Sequence, residues 1–400
     1  MSLISKRLER IKPSPTLVVI KKTLELKRLG RDIISLGAGE PDFDTPDNIK
    51  EAGLKAIRDG MTKYTNVDGM VDLKKAIQNK FKRENNIEYE LDEIIVSNGG
   101  KQVIYNLFMA SLQPGDEVII PAPYWVSYPD MVALAEGLPV FANCDINNNF
   151  KLNPEILERI ITPKTKWLII NSPSNPTGAA YSYQELMDIA ELLRKYPHVT
   201  VMSDDIYEHI VFDDFKFYTL AQIAPDLKHR IFTVNGVSKS YSMTGWRIGY
   251  GAGNKSLINA MTVIQSQSTS NPSSISQVAA IEALNGPQDF IKINAENFQK
   301  KRDLTLSILS DVEALNCYKP EGAFYVFPQC SKLFGLKTQS GKVIKNSNDF
   351  AEYLLEDFNV AIIPGVGFGL EGYFRISYAT SVQDIEQACL RIKQACNQLT

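Results

Sequence analysis

Six short apolar runs, at positions 94–97, 117–120, 166–170, 200–203, 231–234 and 248–251, alternate through the middle of the chain with amphipathic stretches such as 101–112 and 184–193. Short runs that are apolar throughout are what strands buried on both faces require. The amphipathic stretches supply the helices that cover those faces, so the order is βαβ repeated into a mostly parallel α/β sheet. Such a sheet binds its ligands beyond the carboxyl ends of its strands. After Gly286 and Pro287 the texture changes: a charged helical stretch at 290–315, an apolar segment at 323–327, a helix near 348–358 and strands at 360–363 and 373–377 predict a smaller α+β unit. The expected division is an N-terminal arm with part of the small domain at 1–45, a large domain at 46–286, and a connecting helix with the small C-terminal domain at 287–400. Polar stretch 337–348 reads as a mobile surface insertion.

Composition narrows the partners. With 43 basic and 46 acidic residues in 400 the formal charge is -3, and no polybasic run offers a face to nucleic acid. Five cysteines, none in a CxxC pair, argue against a disulfide framework and for the cytoplasm. Charges at Lys6, Arg7, Glu9, Arg10, Lys12, Lys21 and Lys22 leave no apolar core for a signal peptide, and no run is long enough for a membrane span. The three histidines, His198, His209 and His229, have no metal-ligand spacing, so no metal is expected.

Five stretches are too polar or too glycine-rich for simple structure. In "NGVSKSYSMTGWRIGY" (235–250), Lys239 sits among small hydroxyl residues where a chain leaves the sheet, and Arg247 follows eight positions later. "SNGGKQ" (97–102) ends a strand in Gly99 and Gly100 and opens a helix, which presents free N–H groups and the positive end of a helix dipole to an anion. Read alone it is more often an ordinary turn. "NSPSNPTG" (171–178) makes the Asn175 amide a fixed donor if Asn175–Pro176 is rigid, for example as a cis bond. "SDDIYEH" (203–209) puts Asp204 and Tyr207 after a central strand, where an acid is costly unless it meets a cation or a protonated ring nitrogen. In "FRISYA" (374–379), Arg375 lies in an apolar strand and must meet an anion.

Together with "GAGEPDF" (37–43), the stretches "NSPSNPTG", "SDDIYE", "SKSYSMTGWRIGY" and "FRISYA", in this order over nearly the whole chain, resemble the pyridoxal-phosphate-dependent class I aminotransferases, and most of all bacterial aspartate aminotransferases. The resemblance implies the fold type I transferase architecture and a cofactor, pyridoxal 5′-phosphate. Lys239 matches the lysine that carries the cofactor covalently and then shuttles the proton at the substrate α-carbon. Asp204, rather than its neighbour Asp205, matches the acid that keeps the pyridine nitrogen protonated. A unit-charge pair at about 4 Å and an effective dielectric near 20 is worth about 4 kcal/mol before desolvation, enough to matter.

Asn175 and Tyr207 match donors to the cofactor's phenolate oxygen, and Trp125 the ring that stacks on the pyridine. The phosphate is expected at the N–H groups of Gly99, Gly100 and Lys101, the Ser238 hydroxyl and Arg247. Gly236 stands where several relatives have a further phosphate-binding serine, which makes that cradle slightly poorer. Tyr64 resembles a tyrosine given to the phosphate by the other subunit, which implies a homodimer with shared sites. Arg375 matches the grip on the substrate α-carboxylate, assisted by Asn175 and by Gly39, which is by itself equally a turn glycine. No arginine stands in "QSQSTSNP" (265–272) to take a side-chain carboxylate, and Lys101 is the match for that role in a second bacterial group. A lysine at a helix start is otherwise a solvated one.

The activity implied is transfer of the amino group between L-aspartate and 2-oxoglutarate. Alternatives are a broader aromatic or glutamate-prephenate aminotransferase, or a lyase on the same fold. A dinucleotide-binding dehydrogenase is disfavoured, because "GYGAGN" (249–254) has Asn254 where the last glycine of GxGxxG belongs. A DNA-binding regulator would need a further domain before residue 30.

Overall fold

The computed structural model describes residues 3–11 and 15–400. Positions 1–2 and 12–14, with the Lys12 charge, lie outside the described residues. All six apolar runs become strands of one seven-stranded sheet, here β1 (Ile94–Ser97), β2 (Glu117–Ala122), β3 (Leu138–Asn143), β4 (Thr165–Asn171), β5 (Thr200–Asp204), β6 (Ile231–Gly236) and β7 (Gly249–Ala252). The order across the sheet is β1-β7-β6-β5-β4-β2-β3, and only β7 runs antiparallel to its neighbours.

Successive side chains alternate between two cores, as the period of a strand requires. Ile94, Val96, Leu168, Ile170 and Val201 enter one, with Leu73, Ile77 and Phe81 of helix Val71–Asn85. Ile95, Trp167, Ile169, Met202 and Phe232 enter the other, with Val103 and Leu107 of helix Gly100–Ser111. Both faces are therefore covered, which is why these strands read as unbroken apolar runs. Strand β3, at one edge of the sheet, departs from that pattern: its LPVFAN sequence is largely exposed.

A third core gathers Phe324, Val326, Phe350, Leu354, Phe374, Ile376 and Ile392. Its antiparallel sheet runs Ile363–Pro364, Phe374–Ser377, Tyr325–Val326. Ile34–Ser35 pairs in parallel with Val360–Ala361, and Ile34 and Leu36 join this core. The expected helix 290–315 is Asp289–Leu309; it ends early because buried Val312 and Leu315 are brought back into the core by tight turns. The single strand expected at 360–363 is two short ones, Val360–Ala361 and Ile363–Pro364, with different partners. Segment 337–348 is tied down rather than free: the Gly335 N–H donates to Ile344 O at 2.8 Å, and Ile344 is buried. All five cysteines are free thiols, and no helix among the described residues is long and apolar enough to cross a membrane.

Candidate active site

The parallel strands deliver their carboxyl ends to one cavity of about 600 Å³. Strand β4 contributes Asn171, β5 contributes Asp204, the chain beyond β2 contributes Trp125, and the turn after β6 contributes Ser238 and Lys239. The second unit closes the cavity with Gly39, Glu40, Tyr325 and Arg375.

Lys239 opens onto this space, its amine donating to Gly39 O. Protein surrounds the amine closely enough that withdrawal from bulk water is the largest influence on it; the Arg375 and Arg247 charges add to that, Glu40 and Asp204 oppose it, and the result is a value lowered to about 8. Asp204 is buried, and burial pushes its carboxyl up to about 6. The strongest opposition comes from Tyr128, whose hydroxyl donates to Asp204 Oδ2 at 2.5 Å. Burial first, then the neighbouring Asp204 charge, holds Tyr128 protonated and so a donor. Asp205 does not line the cavity: it accepts from Ser203 Oγ at 2.7 Å. Sequence reasoning did not find Tyr128, which reads as one more core aromatic in "PAPYWVSY".

The Gly-Gly turn packs against an arginine. Gly99 caps helix Gly100–Ser111 at φ 90°, and a Cβ there would overlap the Arg247 guanidinium. Only glycine fits, for both reasons. Arg247 donates to Thr244 O at 3.0 Å and Asn98 O at 3.1 Å, and among the described residues no carboxylate pairs with it. Gly100, Lys101, Ser238 and Arg247 line the cavity. Gly236 does not; it packs on the sheet, and a Cβ would stand 3.1 Å from the Gly249 Cα, so the position has little room for a serine. Lys101 lines the cavity with its ammonium 4.9 Å from the centre of the Trp125 ring, while the residue as a whole remains exposed. Burial and the nearby Arg247 charge lower its pKa.

Arg375 is 3 % exposed, yet no acid pairs with it among the described residues. Its Nη1 donates to Asn175 Oδ1 at 3.0 Å and its Nη2 to Gly37 O at 2.8 Å, while Nε has no partner. A buried guanidinium held only by neutral acceptors is a standing anion site. With its oxygen on Arg375, Asn175 keeps its amide N–H groups as donors. Asn175 is fixed by its backbone N–H donating to Asn171 Oδ1 at 2.9 Å, not by a cis Asn175–Pro176 bond; among the described residues the cis bonds are Ala122–Pro123 and Ser172–Pro173. Tyr207 lines the cavity with its hydroxyl 2.8 Å from that of Tyr325, a second residue not found in the sequence. Tyr64 lies away from the cavity, 90 % exposed.

A family model for aminotransferase class I and II matches residues 31–392. The chain is 76 % identical over 400 residues to a Rickettsia felis protein named "Probable aspartate/prephenate aminotransferase", covering 100 % of this chain and 98 % of that one. It also resembles the crystal structure of an aspartate aminotransferase from Rhizobium meliloti (54 % identity, TM-score 0.97, all of both chains). A third similarity is to the aspartate aminotransferase of Thermus thermophilus with maleate (41 % identity, TM-score 0.92, 99 % of this chain and 100 % of that one).

Proposed function

The chain belongs to the class I and II aminotransferases, and from that premise we propose that it holds pyridoxal 5′-phosphate in the cavity and exchanges the amino group between L-aspartate and 2-oxoglutarate, giving oxaloacetate and L-glutamate. The observation that carries this reading is Arg375, a buried guanidinium without an acid and with Nε unpaired, in the same cavity as Lys239 and Asp204. Charged groups in such a place need an anion and a cation that the chain does not supply.

The donor set fits the cofactor. Gly99, Gly100 and Lys101 at a helix N-terminus, the Ser238 hydroxyl and the unpaired Arg247 suit a phosphate. Asp204 suits a protonated ring nitrogen, whose charge would lower its carboxyl again; Trp125 suits the ring face, and Asn175 and Tyr207 the ring oxygen. When bound, the cofactor supplies a sink for the electrons left at the substrate α-carbon. Lys239 is its attachment point, and its Nζ, neutral at a mildly alkaline pH, takes the α-proton and returns it. Arg375 orients the substrate through its α-carboxylate, with Gly39 and Asn175 beside it, and the Lys101 ammonium takes the side-chain carboxylate. Tyr64, exposed in one chain, completes the phosphate site of a partner, so the working unit is a homodimer, in the cytoplasm. We assign cofactor binding to 46–286 and closure of the site to 287–400 with 1–45.

A panel of amino donors against 2-oxoglutarate tests the reading: aspartate and glutamate should be turned over fastest, and keto acid formed over many turnovers without any acceptor, with ammonia released, would replace it with a lyase. A second reading, prephenate as a further acceptor, draws on the name of the Rickettsia felis relative and on Lys101 over Trp125, a cation and a ring face side by side. Assaying prephenate with aspartate or glutamate as donor decides it.

A further inference from the structure

Behind the cavity a polar network ties helix Val71–Asn85 to both turns that carry the reacting groups. Lys80 of this helix is 0 % exposed; its ammonium meets the Glu208 carboxylate, Asn85 Oδ1 at 2.8 Å and Glu84 Oε2 at 3.5 Å. Glu208 follows Tyr207 in the chain and also accepts from Asn235 Nδ2 at 2.7 Å and Asn85 Nδ2 at 3.1 Å. His209 comes next, with Nδ1 3.0 Å from Ser240 Oγ and Nε2 2.9 Å from Glu84 Oε2. Ser240 is joined directly to Lys239.

The chemistry of the network fixes directions as well as distances. Burial works to raise the Glu84 carboxyl, but the His209 hydrogen bond and the Lys80 charge outweigh it and hold the group at about 2, with Arg83 of the same helix contributing. Glu84 is therefore an ionised acceptor, to which His209 Nε2 donates. In the neutral ring that leaves Nδ1 as an acceptor aimed at the Ser240 hydroxyl. Glu84, Glu208 and His209 have ligand atoms close enough for a cation, but the Lys80 ammonium already sits on two of them. Stability alone does not account for a fully buried ion pair, since apolar residues of similar volume serve at least as well.

We propose that this network positions the proton-transfer amine: His209, through Ser240, sets the place of Lys239, while Lys80, through Glu208, holds the turn that carries Tyr207. The proposal rests on the aminotransferase reading. An amine that acts on the α-proton contributes to the chemical step and little to substrate binding, so loosening it lowers kcat and spares KM.

The test uses the full chain loaded with pyridoxal 5′-phosphate, reading kcat and KM for aspartate, the pH titration of the bound cofactor's absorbance, and Tm. Asparagine imitates the Nδ1 side of histidine and glutamine the Nε2 side. His209→Ala and His209→Gln should lose about tenfold or more in kcat with KM little changed, and should shift the absorbance titration, whereas His209→Asn stays near the parent. Ser240→Ala should reproduce the loss, and the His209→Ala/Ser240→Ala double variant should be no worse than either single one. A fall in Tm with kcat and titration unmoved would reduce the network to structure and overturn the proposal, as would equal losses in His209→Asn and His209→Gln. A parent without turnover would count against the aminotransferase reading instead, and the absorbance titrations, which need no turnover, would still decide the positioning role.

Discussion

Two residues at the centre of the site have protonation behaviour that solution measurements can read. Lys239 has its pKa lowered to about 8, and only the neutral amine is nucleophilic. In cofactor-free protein, labelling of Lys239 by an acylating reagent, followed by peptide mass spectrometry, should rise along a titration centred near 8; exposed lysines should follow one centred beyond about 10. A curve for Lys239 that tracks the exposed lysines would contradict the assigned environment. Tyr128 makes the second case. Its hydrogen bond favours the ionised form of Asp204, so Tyr128→Phe removes a lowering influence and moves the Asp204 pKa upward from about 6. A hydrogen bond to a charged group is worth about 1.5–3 kcal/mol, so in cofactor-free protein the Asp204 titration, followed by its carboxyl infrared absorbance, should move to higher pH by about one unit or more. Asp204 was legible in the sequence because an acid after a central strand has few reasons to be there. Tyr128 was not, because the contact joins residues far apart in the chain and nothing in "YWVSY" separates a hydroxyl that works from a ring that packs. Lys80 is the same failure in another form: on an amphipathic helix it reads as solvated, and it is wholly buried.

The element that repays manipulation most is helix Gly100–Ser111 with its glycine cap. Gly99→Ala forces a positive-φ extended backbone, which glycine alone adopts readily, on a residue with a side chain, at about 1–3 kcal/mol, and drives Arg247 from its place. Affinity for pyridoxal 5′-phosphate, measured by fluorescence titration, should fall at least about tenfold, while affinity for pyridoxal without its phosphate should hardly change. Equal losses would mean that the cap shapes the whole cavity and not its anion end. One residue further on, Lys101→Ser should raise KM for aspartate and glutamate about tenfold or more, and for phenylalanine and tyrosine much less, because only the acidic side chains lose a charged partner. At this scale the sequence was most informative where burial is uniform. Strands β1, β4, β5 and β6 are covered on both faces and stand out as apolar runs. Edge strand β3 is half solvated and carries a proline, so it leaves no such mark. The end of helix Asp289–Leu309 was misplaced because tertiary burial of Val312 and Leu315, not a glycine or proline, turns the chain there.

At the scale of the whole molecule the decisive residue is Tyr64, which is exposed and lies outside the cavity. If two chains share their sites, mixing Lys239→Ala with Tyr64→Phe subunits yields hybrid dimers in which one site carries both lesions and the other neither. Activity should rise on mixing; with hybrids demonstrated and no gain, the sites are independent. The pairing of Ile34–Ser35 with Val360–Ala361 has a consequence of another kind. Gly37 O, which holds Arg375, and Gly39 O, which holds Lys239, leave the ribosome early, yet the strand that fixes them is among the last made. The central sheet, built from residues 94–252, can assemble while synthesis continues. Its catalytic crevice cannot: a nascent chain stalled before residue 360 should be folded over most of its length and still have no place to clasp a substrate.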